Sequence, residues 1–364
     1  MGIASDFVMK QFFEKKLNPE QSKGLEDTGA SGYMNSSLQC LSNTKALKKY
    51  FLTEYKKSPS SELSNEFYEL ISNLWEKNAN ENIYNPQSFK RVLGEMNPSF
   101  AGDQANDPKD LINFLFERIH LELNIINNNK IIYQMQDQTN EKLTLNIFRE
   151  YFMQNFNSII SHLFYGLSET QYICQGCSVT KYSFQTFSIL EFPLQQVNQY
   201  FYKIGQKPLK LANNKNPDID LYECFEFNEK SNLMSKENQI KCNKCNRYCN
   251  VVYSTHLYSA PNYLIINLNS GKDAIYKCNV NFPEQLYLSK YLKYKETNTA
   301  FELYAVISYL DGKFIAYIRC DKDNKFYLYQ NSKVRECSSP FQYKEGMPYI
   351  LFYQVLKGNN KTYY

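Results

Sequence analysis

Two pairs of cysteines, Cys174-Gln-Gly-Cys177 and Cys242-Asn-Lys-Cys245, carry the strongest chemical signal in this chain. Two residues between cysteines let a tight turn aim both thiolates at one metal ion, and two such turns complete the tetrahedral four-thiolate shell that zinc prefers. Gly176 and Asn246 suit these turns, because glycine and asparagine tolerate left-handed backbone. Between the pairs lie 64 residues, so they must sit on separate hairpins that the fold brings together. The expectation is one zinc ion held by Cys174, Cys177, Cys242 and Cys245. All four positions would be filled by protein, which makes the metal structural rather than catalytic. Free or redox-active thiols are the alternative, and Cys249 is a substitute ligand with less suitable spacing.

The elements that must position these thiols belong to a chain of 364 residues, enough for one large multi-lobed domain or two ordinary ones. Hydrophobic residues at 43% and charged residues at 21% fit a globular protein rather than a disordered one. The 31 tyrosines and 25 phenylalanines are read as coding bias and given no functional weight. Net charge is only +4 with Lys and Arg dispersed, which argues against a nucleic-acid partner. Short clusters such as Lys48-Lys49 and Lys56-Lys57 read as solvated helix faces. No apolar run approaches the roughly 20 residues needed to span a bilayer, and the N-terminus lacks a secretory apolar region, so no membrane partner is expected. Ten cysteines without a signal peptide point to metal ligands in a reducing compartment, the cytoplasm or nucleus.

Residues 1–20 read as a leader with a helix around Phe7–Lys15. From Gly24 to about Asn124 the pattern is mostly helical: Leu38, Leu41 and Leu47 fall at helical spacing, as do Phe67, Leu70, Leu74 and Trp75, and Asp110–Leu123 repeats it. Another helix follows about Phe148. Strands are expected over Tyr263–Leu268, Leu303–Leu310, Lys313–Cys320, Lys325–Tyr329 and Tyr349–Val355, with a two-residue hairpin turn at Asp311-Gly312. The polar stretch Gln206–Asn238 reads as a long loop. Helices first and antiparallel strands later argue for an α+β fold.

The segment Gly24-Leu-Glu-Asp-Thr-Gly-Ala-Ser-Gly-Tyr-Met-Asn-Ser-Ser-Leu-Gln-Cys-Leu resembles the cysteine box of the ubiquitin-specific proteases, approximately GLxNxGxTCYMNSxLQxL. Further segments agree in order. Gly102–Leu111 is similar to the family's GxQQQDAxEFL, the two cysteine pairs to its fingers, and Pro261–Leu268 to its PxxLxIxLxR strand. Phe301–Ile307, Ala316–Arg319 and Tyr329–Val334 follow its histidine box, and Tyr349–Tyr353 its last strand. The resemblance implies a papain-like cysteine protease fold of thumb, palm and zinc-ribbon fingers over residues 21–358. The thumb would span about 24–125, the fingers about 165–260, and the palm about 126–164 and 261–358.

In that family a thiolate at a helix N-terminus is the nucleophile, a His activates it, and an Asp or Asn orients the His. The resemblance places Gly32 at the thiol position, Lys313 at the base position and Asn331 at the third. Asp27 stands where the family has an Asn that supports the oxyanion, and a carboxylate there would repel the developing charge. A Lys would stay protonated and could not act as a base unless desolvated. Asp107 and Asp110 match the acidic positions that hold ubiquitin's basic tail; acids at a helix N-terminus are favoured in any case. The resemblance therefore implies a pseudo-deubiquitinase, acting as a scaffold among protein subunits of a larger assembly or binding ubiquitin without cleaving it. The alternative is an active isopeptidase with non-standard residues, for which Ser31 and Lys313 are the available pair. Cys40 is expected to face the core, and His120, His162 and His256 map away from the base position.

Overall fold

The computed structural model describes residues 23–75, 82–126, 138–205, 218–271, 275–295, 298–337 and 346–356. The leader and its expected helix lie outside the described residues. Apolar spacing in the first hundred described residues produces α1 (Gly32–Ser42), α2 (Lys45–Thr53), α3 (Glu62–Trp75), α4 (Gln87–Met96) and α5 (Pro108–Leu123). On α3, Phe67, Leu70, Ile71 and Leu74 form one buried stripe, as an amphipathic helix requires. Leu38 and Leu41 share α1, but the chain breaks at Asn43-Thr44 and Leu47 belongs to α2. Four later helices are α6 (Glu141–Asn155), α7 (Ile159–Phe164), α8 (Leu194–Lys203) and α9 (Leu221–Asn228).

The strands begin with β1 (Gly24–Leu25) and β2 (Ile83–Tyr84), a short parallel pair. Then come β3 (Gly166–Cys174), β4 (Thr180–Phe187), β5 (Ile189–Pro193), β6 (Asp218–Asp220), β7 (Asn232–Met234), β8 (Ile240–Cys242), β9 (Arg247–Cys249) and β10 (Val251–Ser259). The last group is β11 (Tyr263–Asn269), β12 (Asn279–Asn281), β13 (Gln285–Tyr287), β14 (Ala300–Leu310), β15 (Lys313–Arg319), β16 (Phe326–Gln330), β17 (Lys333–Cys337) and β18 (Met347–Val355). An eight-stranded sheet runs in the order β17-β16-β15-β14-β18-β11-β5, with β13 paired to β14. All five strands read from the sequence lie in it.

Both faces of this sheet are covered. Side chains alternate across a strand, so Ile265, Ala305, Ile307, Ala316, Ile318 and Phe352 meet the helical layer of α1 to α5. Their neighbours Leu264, Ile266, Val306, Ile315, Tyr317 and Tyr353 pack with α8 and α9 on the opposite side. That is why β11, β14 and β18 read as nearly unbroken apolar runs. A second sheet, β4-β3-β10-β7, projects as long antiparallel ribbons. α6 supplies it with a small core, through Leu145, Phe148 and Phe152 against Leu167 and Phe184. At its base the buried Glu169 carboxylate accepts two hydrogen bonds from Lys293 Nζ, at 2.6 and 2.8 Å, and Lys293 also pairs with Glu141 at 2.9 Å.

Three expectations need correction. The described part of Gln206–Asn238 is not a loop: it holds β6, α9 and β7. Asp220 and Glu223 form a reciprocal cap on α9, and Ile219, Leu221, Cys224 and Phe225 are sealed in the core beneath the sheet. The helix expected after Phe148 begins at Glu141, capped by Asn140. Finally, Lys48-Lys49 is not a solvated face: both residues are buried. Lys48 Nζ lies 3.3 Å from the centre of the Trp75 ring, a cation–π contact. Lys56-Lys57 lies past the end of α2 and is exposed, with Lys57 paired to Glu69.

Candidate functional site

The fold brings the N-terminus of α1 directly against β15. A Cβ on Gly32 would sit 3.1 Å from Phe314 O and 3.5 Å from Phe314 N, so helix and strand meet where the side chain is missing. Lys313, one residue earlier, is exposed at the start of β15. The turn before it is the expected two-residue hairpin: Asp311 and Gly312 have φ of 46° and 81°, and Leu310 pairs with Lys313.

Asn331 occupies the turn between β16 and β17 with φ 52°. Its carbonyl accepts from Leu25 N at 3.0 Å, which fixes it beside the segment entering α1. Its amide Nδ2 donates to Asp27 Oδ2 at 2.8 Å, and its Oδ1 accepts from Asn35 Nδ2 at 3.0 Å. Asp27 Oδ1 in turn accepts from Ser31 Oγ at 2.8 Å and from Gly29 N at 3.2 Å. The residue expected as third member of a triad is thus bonded to Asp27. Ser31, of the Ser31–Lys313 pairing, is held by the same network. The Ser31 hydroxyl is buried, gives its hydrogen to Asp27 and accepts from Thr28 N at 3.0 Å.

A participant that sequence reasoning missed is Lys90. Its buried Nζ donates to Thr28 O at 2.5 Å and to Asp103 Oδ1 at 3.0 Å, tying α4 to the loop before α1. No local pattern marks it, because its partners lie in other elements. Asp107 caps α5 by accepting from Lys109 N at 2.7 Å, and its other oxygen accepts from Tyr349 OH at 2.5 Å. Burial pushes the Asp107 carboxyl up, and the Tyr349 and Lys109 hydrogen bonds partly offset this. Asp110 is exposed beside Lys109, which reaches Glu191 at 3.1 Å.

The four cysteines do converge. β3 and β4 form the hairpin whose tip carries Cys174 and Cys177, and the β8–β9 hairpin carries Cys242 and Cys245. All four Sγ atoms lie within 4.8 Å of one another. Cys174 and Cys245 are 3.8 Å apart, and Cys177 and Cys242 are 3.7 Å apart. Burial works against ionisation at Cys174, but N–H groups of Gly176 and Cys177 aimed at the sulfur bring it down to about 6. Gly176 is required here by space. A Cβ on it would stand 3.2 Å from the sulfurs of both Cys245 and Cys249. This is a four-thiolate cluster able to hold a metal ion, of the zinc-ribbon kind.

The family model described as ubiquitin carboxyl-terminal hydrolase matches residues 23–353, which spans every element above from the approach to α1 to the end of the sheet. The chain belongs to the ubiquitin carboxyl-terminal hydrolase family. It is 24% identical to ubiquitin carboxyl-terminal hydrolase 2 of Rattus norvegicus, over 91% of this chain and 54% of that protein. It is 24% identical to ubiquitin carboxyl-terminal hydrolase 21 of Homo sapiens, over 92% of this chain and 61% of that protein. The chain therefore spans little more than half the length of these relatives. Its fold is similar to the SAGA DUB module Ubp8/Sgf11/Sus1/Sgf73 bound to ubiquitin aldehyde, with TM-score 0.65 and 17% identity over 98% of this chain and 76% of that one. The same module bound to monoubiquitin gives TM-score 0.67 and 18% identity, with the same shares covered.

Within this hydrolase fold, Cys40 and the three imidazoles are held as follows. Cys40 is wholly buried in α1, and burial pushes its thiol well up. His120 on α5 bonds Ser158 at 2.7 Å, and His256 on β10 bonds Ser254 at 2.9 Å. His162 is held on α7, where burial lowers its imidazole. No helix among the described residues is long and apolar enough to cross a membrane.

Proposed function

We propose that the chain is a pseudo-deubiquitinase: a ubiquitin carboxyl-terminal hydrolase domain that binds ubiquitin without cleaving it and serves as a subunit of a larger assembly. The observation that carries this reading is the contact at Gly32. A nucleophile needs a side chain at the helix N-terminus and a base within reach. Here the N-terminus presents a residue without a side chain, packed on the backbone of Phe314. Lys313 is exposed at the start of β15. Asn331, which would orient an imidazole, is spent on Asp27. Support for ubiquitin as partner comes from the retained fold and from the ubiquitin-bound state of its structural neighbours. In this reading α1 to α5 form the thumb, the β3–β10 ribbons the fingers and the large sheet the palm. Asp110, exposed at the start of α5, is then a contact for ubiquitin's basic tail, while Asp107 chiefly holds Tyr349 and the helix cap.

The metal in this reading is zinc. Four sulfurs held about 2.3 Å from a central ion at tetrahedral angles lie about 3.8 Å apart, and two of the approaches here are 3.7 and 3.8 Å. The ion would be held by Cys174, Cys177, Cys242 and Cys245 and would supply a cross-link between two hairpins, with no open position for chemistry.

The test uses the whole chain, titrated with mono-ubiquitin by calorimetry and assayed with a fluorogenic ubiquitin substrate. Saturable binding with no turnover is expected. Turnover that disappears on Ser31→Ala or Lys313→Ala would overturn the pseudoenzyme reading, and absence of binding would overturn the ubiquitin-binding one.

A further inference from the structure

A fifth cysteine stands against the four-thiolate cluster. Cys249 is on β9, four residues beyond Cys245, and is buried in one apolar cluster with Cys174 and Cys242. One point in space locates its sulfur: the place a Cβ on Gly176 would take is 3.2 Å from Cys245 Sγ and 3.2 Å from Cys249 Sγ. The Arg247 guanidinium reaches the same spot, with Nη2 3.7 Å from it. Gly176 thus keeps open a small space in which a metal-ligand sulfur, a non-ligand sulfur and a cation meet. Cys249 is not one of the four mutually close sulfurs, so a filled site leaves it a free thiol. Cys245 is partly exposed, which admits a small oxidant.

We propose that Cys245 and Cys249 form a peroxide-sensitive pair whose oxidation to a disulfide opens the metal site; the metal-release part rests on the zinc reading above. The Cys245 thiolate attacks a hydroperoxide, the O–O bond breaks, and the sulfur becomes a sulfenic acid while the other oxygen leaves as water or alcohol after taking a proton. The Cys249 sulfur then attacks that sulfur, its thiol proton passes to the departing oxygen, the S–O bond breaks and water leaves. Two thiols have lost two electrons, and the peroxide has gained them. The sulfurs must close to about 2.05 Å, which requires a movement at the tip of the β8–β9 hairpin, where Arg247 and Tyr248 pair with Cys242 and Lys241. Three thiolates remain, an incomplete shell with weaker hold on zinc.

The experiment treats the zinc-loaded full chain with one to ten equivalents of hydrogen peroxide. Zinc release is followed with a chromogenic chelator, and disulfides are mapped by non-reducing proteolysis and mass spectrometry. The expected result is loss of zinc together with a peptide pair joining Cys245 to Cys249. Cys249→Ser and Cys249→Ala should bind one zinc like the parent but release it at least fivefold more slowly, with Cys245 passing to sulfinic or sulfonic acid instead. Equal release rates in parent and variants, or a disulfide joining Cys245 to Cys177 or Cys242, would overturn the proposal. Loss of zinc stoichiometry in both variants would also overturn it, by making Cys249 a ligand. A parent chain that takes up no zinc defeats the metal reading instead, and the peptide map of that same chain still decides whether Cys245 and Cys249 pair.

Discussion

At the scale of single residues, the segment entering α1 and the β16–β17 turn are tied together by side chains. Asp27, Ser31, Asn35 and Asn331 are linked side chain to side chain, although the buried Asn35 Oδ1 is left without a partner, and Gly32 lets α1 close on Phe314. Restoring the family's residues should therefore fail. In Gly32→Cys with Lys313→His, the new Cβ meets Phe314 O at 3.1 Å, so the strand must give by a few tenths of an ångström. The new imidazole would find Asn331 already donating to Asp27, and Asp27 would still repel an oxyanion, where loss of a single donor costs about a hundred- to a thousandfold. Turnover of a fluorogenic ubiquitin substrate by this double variant is expected to stay at background. Lys48 gives a second, independent prediction. Burial lowers its ammonium to about 8, with Asp321 pulling partly the other way. Its ordinary value is about 10.4, so between roughly pH 8 and 10.4 the unfolded chain binds the proton that the folded chain has lost. The Lys48 contribution to stability therefore rises with pH across that window. Urea titrations at pH 7.5 and 10 should show this gain in the parent relative to Lys48→Met, which lacks the group. The residue identities at positions 27, 32, 313 and 331 were legible in the sequence. What Asn331 bonds to was not, because Asp27 is 304 positions away and the link exists only once β16, β17 and β1 are assembled.

At the scale of elements, legibility followed burial. β11, β14 and β18 were readable because both sheet faces are covered, which leaves apolar runs between polar turns. The ribbon strands β3, β4 and β10 were weaker, since their outer halves rely on the cysteine cluster rather than on apolar side chains. α9 was lost in a polar background because its apolar face is short, and Lys48-Lys49 was misread because Trp75 lies on another helix. Two predictions belong here. Lys293 joins α6, the ribbon base and the segment before β14 by pairing with Glu141 and with the fully buried Glu169. Lys293→Met would leave Glu169 facing only Gln171, which donates to it at 2.7 Å. Breaking such a pair from one side costs about 3 kcal/mol, to be read as a lower urea midpoint, and Glu169→Gln in the same chain should recover part of it. The second concerns α5 and α7. His120 is stacked on Phe156 and bonded to Ser158, and burial lowers its imidazole, with the neighbouring His162 adding to the effect. A His lowered by folding leaves stability intact above about pH 6.5 and costs stability as pH falls below it, because the unfolded chain then binds more protons. The midpoint should drop between pH 7.5 and 5.5, and drop less in His120→Asn.

At the scale of the whole molecule, stability is unevenly spread. The eight-stranded sheet is sandwiched between two large apolar clusters. Among the described residues, the ribbons are backed by the small α6 cluster near their base, by Leu257 of β10 in the large cluster, and by the thiol cluster at their tips. This arrangement suits a domain that works by presenting surfaces, since the ribbons can be shaped by one ion while the sheet holds the frame. It also separates two kinds of order that a single melting temperature would merge. A structural metal adds its binding free energy to whatever folds around it, and local opening draws on the least buried units first. Removing the metal should therefore unfold the tips without unfolding the sheet. In hydrogen exchange after treatment with a strong chelator, amides in Tyr172–Cys174, Ile240–Cys242 and Arg247–Cys249 should lose protection by a hundredfold or more. Those in β11, β14 and β18 should change by less than threefold. The base of the ribbons is the informative boundary. There Leu167 and Phe184 pack on α6 and Lys293 clamps Glu169, so Leu167–Glu169 should keep its protection and mark where the metal's influence ends. Uniform loss across sheet and ribbons would mean that the ion supports the frame as a whole. No loss anywhere would mean that the four thiols hold the hairpins together without it.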